Sequence, residues 1–313
     1  MTVPSGRVLN AVRIGLLVVI LVGVGIALWR NWSAVSVELG RMSAGALVAA
    51  FLLTAAAPVA TLMGWRVLLA DLGTRLPAGP AASVFLVGQL GKYVPGSVWT
   101  VLAQAEMGAR LKVPRRRMAV VGLLSIGLGV LTGSLMGIPA VPRLLDRSGE
   151  AFSWWWVALA VVLGGVLLWP RLLNTVIARG LTLLRREPLE HELSGRAVAL
   201  TAAWFVLAWV CAGGGVLVLS LALAPDIALG PLLVTTIGGF ALASAAGMFS
   251  ILVPAGVGVR DGLLALLLVT LMPLSAATAV VVVARFLAVL ADLVVAGSGW
   301  AWGRRHHLLG SST

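Results

Sequence analysis

The feature that most constrains the fold is a series of long apolar runs separated by short charged loops. These runs lie near residues 13–30, 44–65, 118–139, 153–169, 198–223 and 276–300. Most approach the ~20 residues that a helix needs to cross the hydrocarbon core of a bilayer. With 60% hydrophobic and only 11% charged residues, the chain is unlike a soluble domain. The sequence therefore predicts an all-α, polytopic membrane protein with about six full spans.

The charges of the loops predict how the spans are oriented. Arg7 and Arg13 precede the first run, which we interpret as an uncleaved span and not as a secretory signal peptide. Every strongly basic loop falls on one face if residues 80–108 enter and leave the membrane on the same side. By the positive-inside rule that face is cytoplasmic, and both termini lie there in a multi-pass protein of the plasma membrane. The formal charge of +12 then indicates contact with anionic lipid headgroups and not with nucleic acid.

Two irregular segments, 80–108 and 231–272, interrupt the pattern of spans. We predict that the first is a broken, re-entrant helical hairpin. The second segment could be either a hairpin or two full crossings, because both return the chain to the side of the membrane from which it entered. We favour the hairpin, because its second arm, residues 262–272, would reach only about 16 Å as a helix.

Each irregular segment lies between two spans, so the chain contains two similar units. The units 44–139 and 198–300 would be inverted repeats, an arrangement in which transporters bind substrate near the middle of the membrane. Residues 171–197 would form a cytoplasmic interfacial linker, and residues 303–313 a flexible tail. All 313 residues would thus belong to a single integral membrane domain.

Both irregular segments place glycine and proline in apolar surroundings. In each, a Val-Pro step follows a glycine by seven residues, from Gly88 to Pro95 and from Gly247 to Pro254. A broken backbone within lipid leaves amide groups unsatisfied unless it is buried in protein or lines a wet cavity. We therefore expect a binding site beside the hairpin breaks, which we assign to Gly88, Pro95, Gly96, Pro254, Gly256 and Gly258.

Ionisable residues in the membrane segments are the candidates for substrate binding, because such charges usually face a partner or a water-filled cavity. Lys92, Arg260 and Arg285 would suit an anionic group such as phosphate. Asp261 and Asp292 would hold these cations or carry protons. In the alternative, Arg260–Asp292 and Asp261–Arg285 are ion pairs that only hold helices together. The complete set of candidates is Lys92, Tyr93, Glu106, Arg110, Arg260, Asp261, Arg285 and Asp292.

The sequence offers no metal, cofactor or catalytic motif. The three histidines and Cys211 lack metal-ligand spacing, and neither a phosphate-binding loop nor a nucleophile elbow is present. Gln89 and Gln104 are interpreted as polar groups that join helices. We expect no cofactor, no metal site and no direct hydrolysis of ATP.

Two motifs carry a resemblance to a known family. The first is Gly88-Gln-Leu-Gly-Lys-Tyr-Val-Pro-Gly-Ser-Val-Trp99, and the second is Val253-Pro-Ala-Gly-Val-Gly-Val-Arg-Asp261. They resemble the patterns G-x-x-x-x-x-x-P-G and P-x-G-x-G-x-x-E of the lysylphosphatidylglycerol synthase transmembrane (flippase-like) family, with Asp261 where that family usually has glutamate. The similarity extends over residues 10–300, approximately. The positions that match are Lys92, Pro95, Arg110, Pro254, Gly256, Gly258, Arg260 and Asp261.

The resemblance implies a membrane domain that moves lipids or lipid-linked headgroups between leaflets. The best-known relatives add a soluble aminoacyl transferase domain, for which these 313 residues provide no segment, so synthase activity is not expected. We expect a transporter, not an enzyme, acting by alternating access on an anionic or zwitterionic phospholipid or polyprenyl-phosphate-linked headgroup. The alternatives are a membrane-embedded glycosyltransferase or lipid-modifying enzyme, and a non-catalytic partner subunit of one. The expected partners are membrane lipids and a separate lipid-modifying enzyme or glycosyltransferase; the oligomeric state stays open.

Overall fold

The computed structural model describes residues 32–93, 99–145, 154–183, 191–249, 256 and 258–306, and the regular elements within them are helices. The α-helices are α1 (Trp32–Arg41), α2 (Ala44–Asp71), α3 (Ala78–Gly88), α4 (Trp99–Arg110), α5 (Arg115–Gly137), α6 (Pro142–Leu145), α7 (Trp154–Leu167), α8 (Pro170–Leu183), α9 (Gly195–Leu223), α10 (Leu229–Leu233), α11 (Gly239–Phe249), α12 (Val259–Leu268) and α13 (Leu274–Arg305). Short 3-10 helices follow α3 (Gln89–Tyr93) and α5 (Ile138–Ala140), and a π-helical turn (Val234–Gly238) joins α10 to α11.

Five helical stretches in the described part of the chain are long and apolar enough to cross a membrane. They are Ala44–Asp71, Arg115–Ala140, Gly195–Leu223, Leu229–Met248 and Leu274–Arg305. A sixth crossing results if the bent pair formed by α7 and α8 counts as one span. The protein therefore has the all-α, polytopic membrane fold that the apolar runs predict. The expected first span, residues 13–30, lies outside the described residues.

The bent pair lies where a span is expected at 153–169. Helix α7 has 14 residues, about 21 Å at 1.5 Å per residue, which is too short for a hydrocarbon core of about 30 Å. The chain then bends by 54° into α8. Pro170 explains the bend, because proline lacks a backbone N–H and disfavours helical geometry at the preceding residue, Trp169.

Among the described helices, α2 and α9 have the most extensive mutual contact. Asp71, the last residue of α2, accepts hydrogen bonds from the backbone N–H and the hydroxyl of Ser194, at 2.8 and 2.9 Å. The hydroxyl of Ser194 in turn caps α9 by accepting from the N–H of Ala197. Glycines permit the close approach between the two helices: a Cβ on Gly64 would lie 2.5 Å from the ring of Phe205.

The second irregular segment combines features of both predicted forms. Its first arm is continuous from Leu229 to Phe249 through the π-helical turn, and Leu229–Met248 is long enough to cross the membrane. Its second arm, α12, has only ten residues. The two arms nevertheless pack as an antiparallel hairpin, since a Cβ on Gly239 would lie 2.9 Å from Leu267 and one on Gly247 would lie 3.3 Å from the Cβ of Arg260.

The first irregular segment is also an antiparallel hairpin, formed by two short helices. A Cβ on Gly88 would lie 2.6 Å from Gln104, and one on Gly91 would lie 2.6 Å from the backbone nitrogen of Thr100. Its arms have 11 and 12 residues, roughly 17 Å each. Neither arm is long enough to cross the hydrocarbon core alone.

The two hairpins pack against opposite halves of α13. Helix α3 lies along the C-terminal half, where a Cβ on Gly79 would overlap Trp302 and one on Gly299 would lie 3.1 Å from the carbonyl of Ala82. Helix α12 joins the N-terminal half of α13 in one apolar cluster that includes Leu264, Leu268 and Val280. The two hairpins therefore enter the bundle from opposite ends, which is the arrangement that inverted repeats require. The repeat relation and its boundaries remain predictions.

Candidate functional site

A cavity of about 330 Å³ lies between the two hairpins and the long helices. It is lined by residues 54–61 of α2, 205–212 of α9 and 285–292 of α13. These positions are near the middle of each helix. One apolar core cluster lies towards one end of the bundle, around Leu219 and Leu264, and the other lies towards the opposite end, around Trp65 and Phe85. The cavity therefore lies at mid-span, between two packed layers.

Asp292 of α13 binds the tip of the first hairpin at this depth. Its Oδ2 lies 2.7 Å from Nζ of Lys92 and accepts a hydrogen bond of 2.6 Å from the hydroxyl of Tyr93. All three residues line the cavity. Because charges within a membrane require partners, this contact ties the 3-10 helix after α3 to the middle of α13.

Asp261 of α12 holds the two arginines of the site. Its Oδ1 accepts hydrogen bonds of 3.1 Å from Nε and Nη2 of Arg260, and its Oδ2 lies 3.7 Å from Nη1 of Arg285. The guanidinium of Arg260 also lies 5.6 Å from the ring centre of Phe240, at a distance typical of a cation–π contact. Arg260 and Arg285 line the cavity, whereas Asp261, which bridges them, is not one of the lining residues.

Glycine geometry determines where Arg260 is placed. Gly256 has φ +65° and Gly258, the N-cap of α12, has φ +84°, values that favour glycine. Gly256 also packs directly on Gly247, where a Cβ would lie 3.1 Å from the opposing Cα. The close contact at the base of the loop brings the first turn of α12, with Arg260 and Asp261, to the cavity.

The predicted hairpin breaks divide into three kinds. Pro95, Gly96 and Pro254 lie outside the described residues. Gly256 and Gly258 supply the positive φ angles. Gly88 is the last residue of α3, where the chain changes to a 3-10 helix, and it allows Gln104 of the other arm to approach.

The structure brings together six of the eight predicted site residues, and it places Glu106 and Arg110 elsewhere. Glu106 is exposed and binds Arg115, with Nε–Oε1 and Nη2–Oε2 distances of 2.8 and 2.9 Å. Arg110 is exposed at the end of α4. Neither lines the cavity. Their i, i+4 spacing places them on one helix face, but they lie in the last turns of α4, at the base of the hairpin. The cavity is at the opposite end, beside the hairpin tip.

The pairing of the acids differs in part from the predicted alternative. Asp261 does face Arg285, but its shorter contact is with its neighbour Arg260. Asp292 binds Lys92 and Tyr93, where the alternative placed Arg260. The interaction of Asp292 thus connects the first hairpin, and not the second, to α13.

Several residues of the cavity wall were not predicted as site residues. They are small polar and aromatic side chains, among them Thr54, Thr61, Thr100, Gln104, Ser125, Phe205, Trp209, Phe240 and Ser244. One signal was available in α2, where two threonines seven residues apart flank Pro58 on one helix face. Pro58 also leaves the carbonyl of Thr54 without its α-helical donor. Within the described residues, no three His, Cys, Asp or Glu side chains are grouped to hold a metal ion.

The comparison with protein families agrees with these motifs. The family model described as the lysylphosphatidylglycerol synthase TM region matches residues 12–296, nearly the whole chain. The chain belongs to this family. Membership of the lysylphosphatidylglycerol synthase TM-region family relates this integral membrane protein to lipid handling. No curated protein matches the chain.

Proposed function

We propose that this protein is a transporter that moves an anionic or zwitterionic lipid headgroup between leaflets by alternating access. The observation that best supports this function is the charge of the cavity. Lys92, Arg260, Arg285 and Asp292 line the cavity, and Asp261 is bound to the two arginines, so the cluster of three cations and two carboxylates has one net positive charge. Residues 94–98, 250–255 and 257 of the two loops contain no ionisable side chain, so they do not change this balance. A phosphodiester carries the single negative charge that would neutralise it.

The types and positions of the cations also favour phosphate. Arg260 and Arg285 share one carboxylate, so both guanidinium groups face the same small region. Arginine binds phosphate oxygens in a bidentate manner, and lysine adds a compact charge. The cavity is at the small end of ligand sites, which range from about 300 to 1,000 Å³. It suits a headgroup whose acyl or prenyl tails stay in the surrounding lipid.

The ion pairs offer a means of coupling binding to movement. A phosphate in the cavity would compete with Asp292 for Lys92 and with Asp261 for the arginines. Each competition weakens a contact between a hairpin tip and α13. Because the hairpins pack against opposite halves of α13, their release would expose the cavity to one side and then to the other. A ligand can drive such a change only if it binds the two states differently.

The distribution of basic residues favours one orientation in the plasma membrane. Arg117 contacts Gly73 and Thr74, and Trp302 packs beside Gly79, so the basic cluster 115–117 and the arginines at 304–305 lie at one end of the bundle. By the positive-inside rule we assign this end, with both termini, to the cytoplasm.

Transport is tested with the purified protein in liposomes that contain phospholipid with a fluorescent acyl chain. We expect the wild-type protein to accelerate exchange between leaflets. Lys92→Ala and Arg260→Ala should each abolish the acceleration, while Arg110→Ala, a matched change at an exposed arginine outside the cavity, should retain it.

Three results would contradict the proposal or its site. Absence of acceleration for every anionic and zwitterionic lipid tested would reject transport. Chemical conversion of the lipid without movement would favour an enzyme. Wild-type rates in both cavity variants, with folded protein verified by size-exclusion chromatography, would remove the assignment of the site.

A further inference from the structure

The cavity has a second, neutral side in addition to the charged one. The charged side is formed by the hairpin tips and α13. On other parts of the wall lie amide and hydroxyl groups of Gln104, Ser125 and Ser244. Side chains of this kind recognise neutral donors and acceptors, such as hydroxyl groups.

Gln104 presents an amide oxygen that has no hydrogen-bond partner among the described residues. Its side chain is almost completely buried, at 2% exposure, and lines the cavity. The oxygen lies over Gly122 of α5, 3.4 Å from where a Cβ would be. Buried polar atoms in native proteins are nearly always paired, so an unpaired one that also lines a cavity calls for an explanation, such as a bound water or a ligand.

Ser244 provides a second such group, close to the phosphate-binding cations. It is 8% exposed, lines the cavity, and its Oγ has no partner in the described part of the chain. On α11 it lies one turn after Phe240 and three residues before Gly247, on the same face. Phe240 and Gly247 both contact Arg260. The hydroxyl of Ser244 therefore lies beside the site proposed for the phosphate.

The carboxylates of the cavity are already bound to cations of the protein. Asp292 binds Lys92 and Tyr93, and Asp261 binds two arginines. A headgroup that carries an ammonium, as an aminoacylated lipid does, would have to displace one of these cations. The hydroxyl groups of a headgroup would instead satisfy Gln104 and Ser244, and they would not compete with the cations of the protein for either carboxylate.

We infer that the lipid moved by this protein is a phosphodiester with free hydroxyl groups in its headgroup, and that Gln104 and Ser244 select it. The inference rests on the proposed transport function and names the substrate class for the same cavity. The phosphate occupies the cationic side, and the hydroxyl groups beyond it donate to Gln104 and exchange hydrogen bonds with Ser244.

The test compares diester lipids of equal charge that differ in hydroxyl groups. Fluorescent phosphatidylglycerol and phosphatidylinositol carry them on a glycerol and on a ring, and phosphatidylpropanol carries none. We expect the wild-type protein in liposomes to move at least one hydroxyl-bearing lipid faster than phosphatidylpropanol, by about fivefold for each hydrogen bond gained. Preference for one of the two would identify glycerol or a ring as the headgroup. Lysyl-phosphatidylglycerol should move more slowly than phosphatidylglycerol.

Gln104→Leu and Ser244→Ala should each reduce this preference, measured in the same variant as the ratio of the rate for the hydroxyl-bearing lipid to the rate for phosphatidylpropanol. Ser220→Ala is the matched control, because Ser220 is a fully buried serine whose Oγ also lacks a described partner but which does not line the cavity. Its preference should equal that of the wild type.

Each outcome separates the inference from the proposed function. Equal rates for phosphatidylpropanol and the hydroxyl-bearing lipids in the wild type would overturn the inference and leave transport standing. A preference retained in both variants would overturn the role of the two residues. If neither class of lipid moves, the proposed function itself fails. If Gln104→Leu does not fold, the preference of Ser244→Ala alone tests the inference, because this variant removes a single oxygen and changes the packing least.

Discussion

Replacing Asp261 by asparagine should destabilise the protein by leaving two cations without their shared counter-charge. The carboxylate lies 3.1 Å from Nη2 of Arg260 and 3.7 Å from Nη1 of Arg285. The side chains of these residues are only 17–20% exposed, so solvent compensates little. At an effective dielectric constant of about 20, Coulomb's law gives roughly 5 kcal/mol for each contact before desolvation is counted.

Desolvation cancels part of this attraction, so the expected loss is smaller than the Coulomb energies. Removing one partner of a buried ion pair typically costs about 3–5 kcal/mol. For Asp261→Asn we expect about 3 kcal/mol, equivalent to a fall in Tm of roughly 6–12 °C. Asp261→Glu keeps the charge, so the Tm of this variant should fall by far less.

The assay is thermal unfolding of the purified protein in detergent, with a double-mutant cycle. Arg285→Gln in the Asp261→Asn background returns the charge of the cavity to +1 and should recover part of the lost Tm. An Asp261→Asn protein within about 2 °C of the wild type, or a double variant no more stable than the single one, would refute the assignment of Asp261 as the counter-charge.

Two further predictions concern the hairpins. Gly256→Ala should destabilise the protein by roughly 1–2 kcal/mol, because alanine is strained in the left-handed backbone conformation of this residue. The contact of the new Cβ with Gly247 should add to this loss. Gly262→Ala on α12, which has open space around its Cβ, should be neutral or stabilising. Thermal unfolding of both separates them, and equal losses would contradict the strain at Gly256. Glu106→Gln removes an exposed ion pair with Arg115 and should leave the Tm nearly unchanged, because solvent screens exposed pairs. Lipid exchange should be unaffected, and loss of exchange in this variant would return Glu106 to the binding site.

Much of the membrane architecture follows from the sequence, because crossing lipid imposes a length and an apolar surface that can be counted along the chain. The spans at 44–65, 118–139, 198–223 and 276–300 correspond to long helices. The exceptions have local causes. Pro170 bends the helix that was expected to span at 153–169, and a π-helical turn joins α10 to α11 so that the first arm of the second irregular segment is long enough to cross the membrane.

The site was predicted from the cost of placing charge in lipid, which shows that Lys92, Asp261 and Asp292 need partners but not which ones. The partners depend on how the hairpins pack: Tyr93 and Asp292 are 199 residues apart in the chain and share a hydrogen bond. The neutral side of the cavity carries no comparable signal, because burying an uncharged glutamine or serine in an apolar helix costs little free energy whether or not the side chain faces the cavity. The sequence by itself determined the membrane fold, and transfer energies singled out the ionisable residues around the cavity, but the same reasoning also selected Glu106 and Arg110, which lie outside it. Only the tertiary structure decided which charges pair and that Gln104 and Ser244 line the cavity, since these depend on contacts between distant helices.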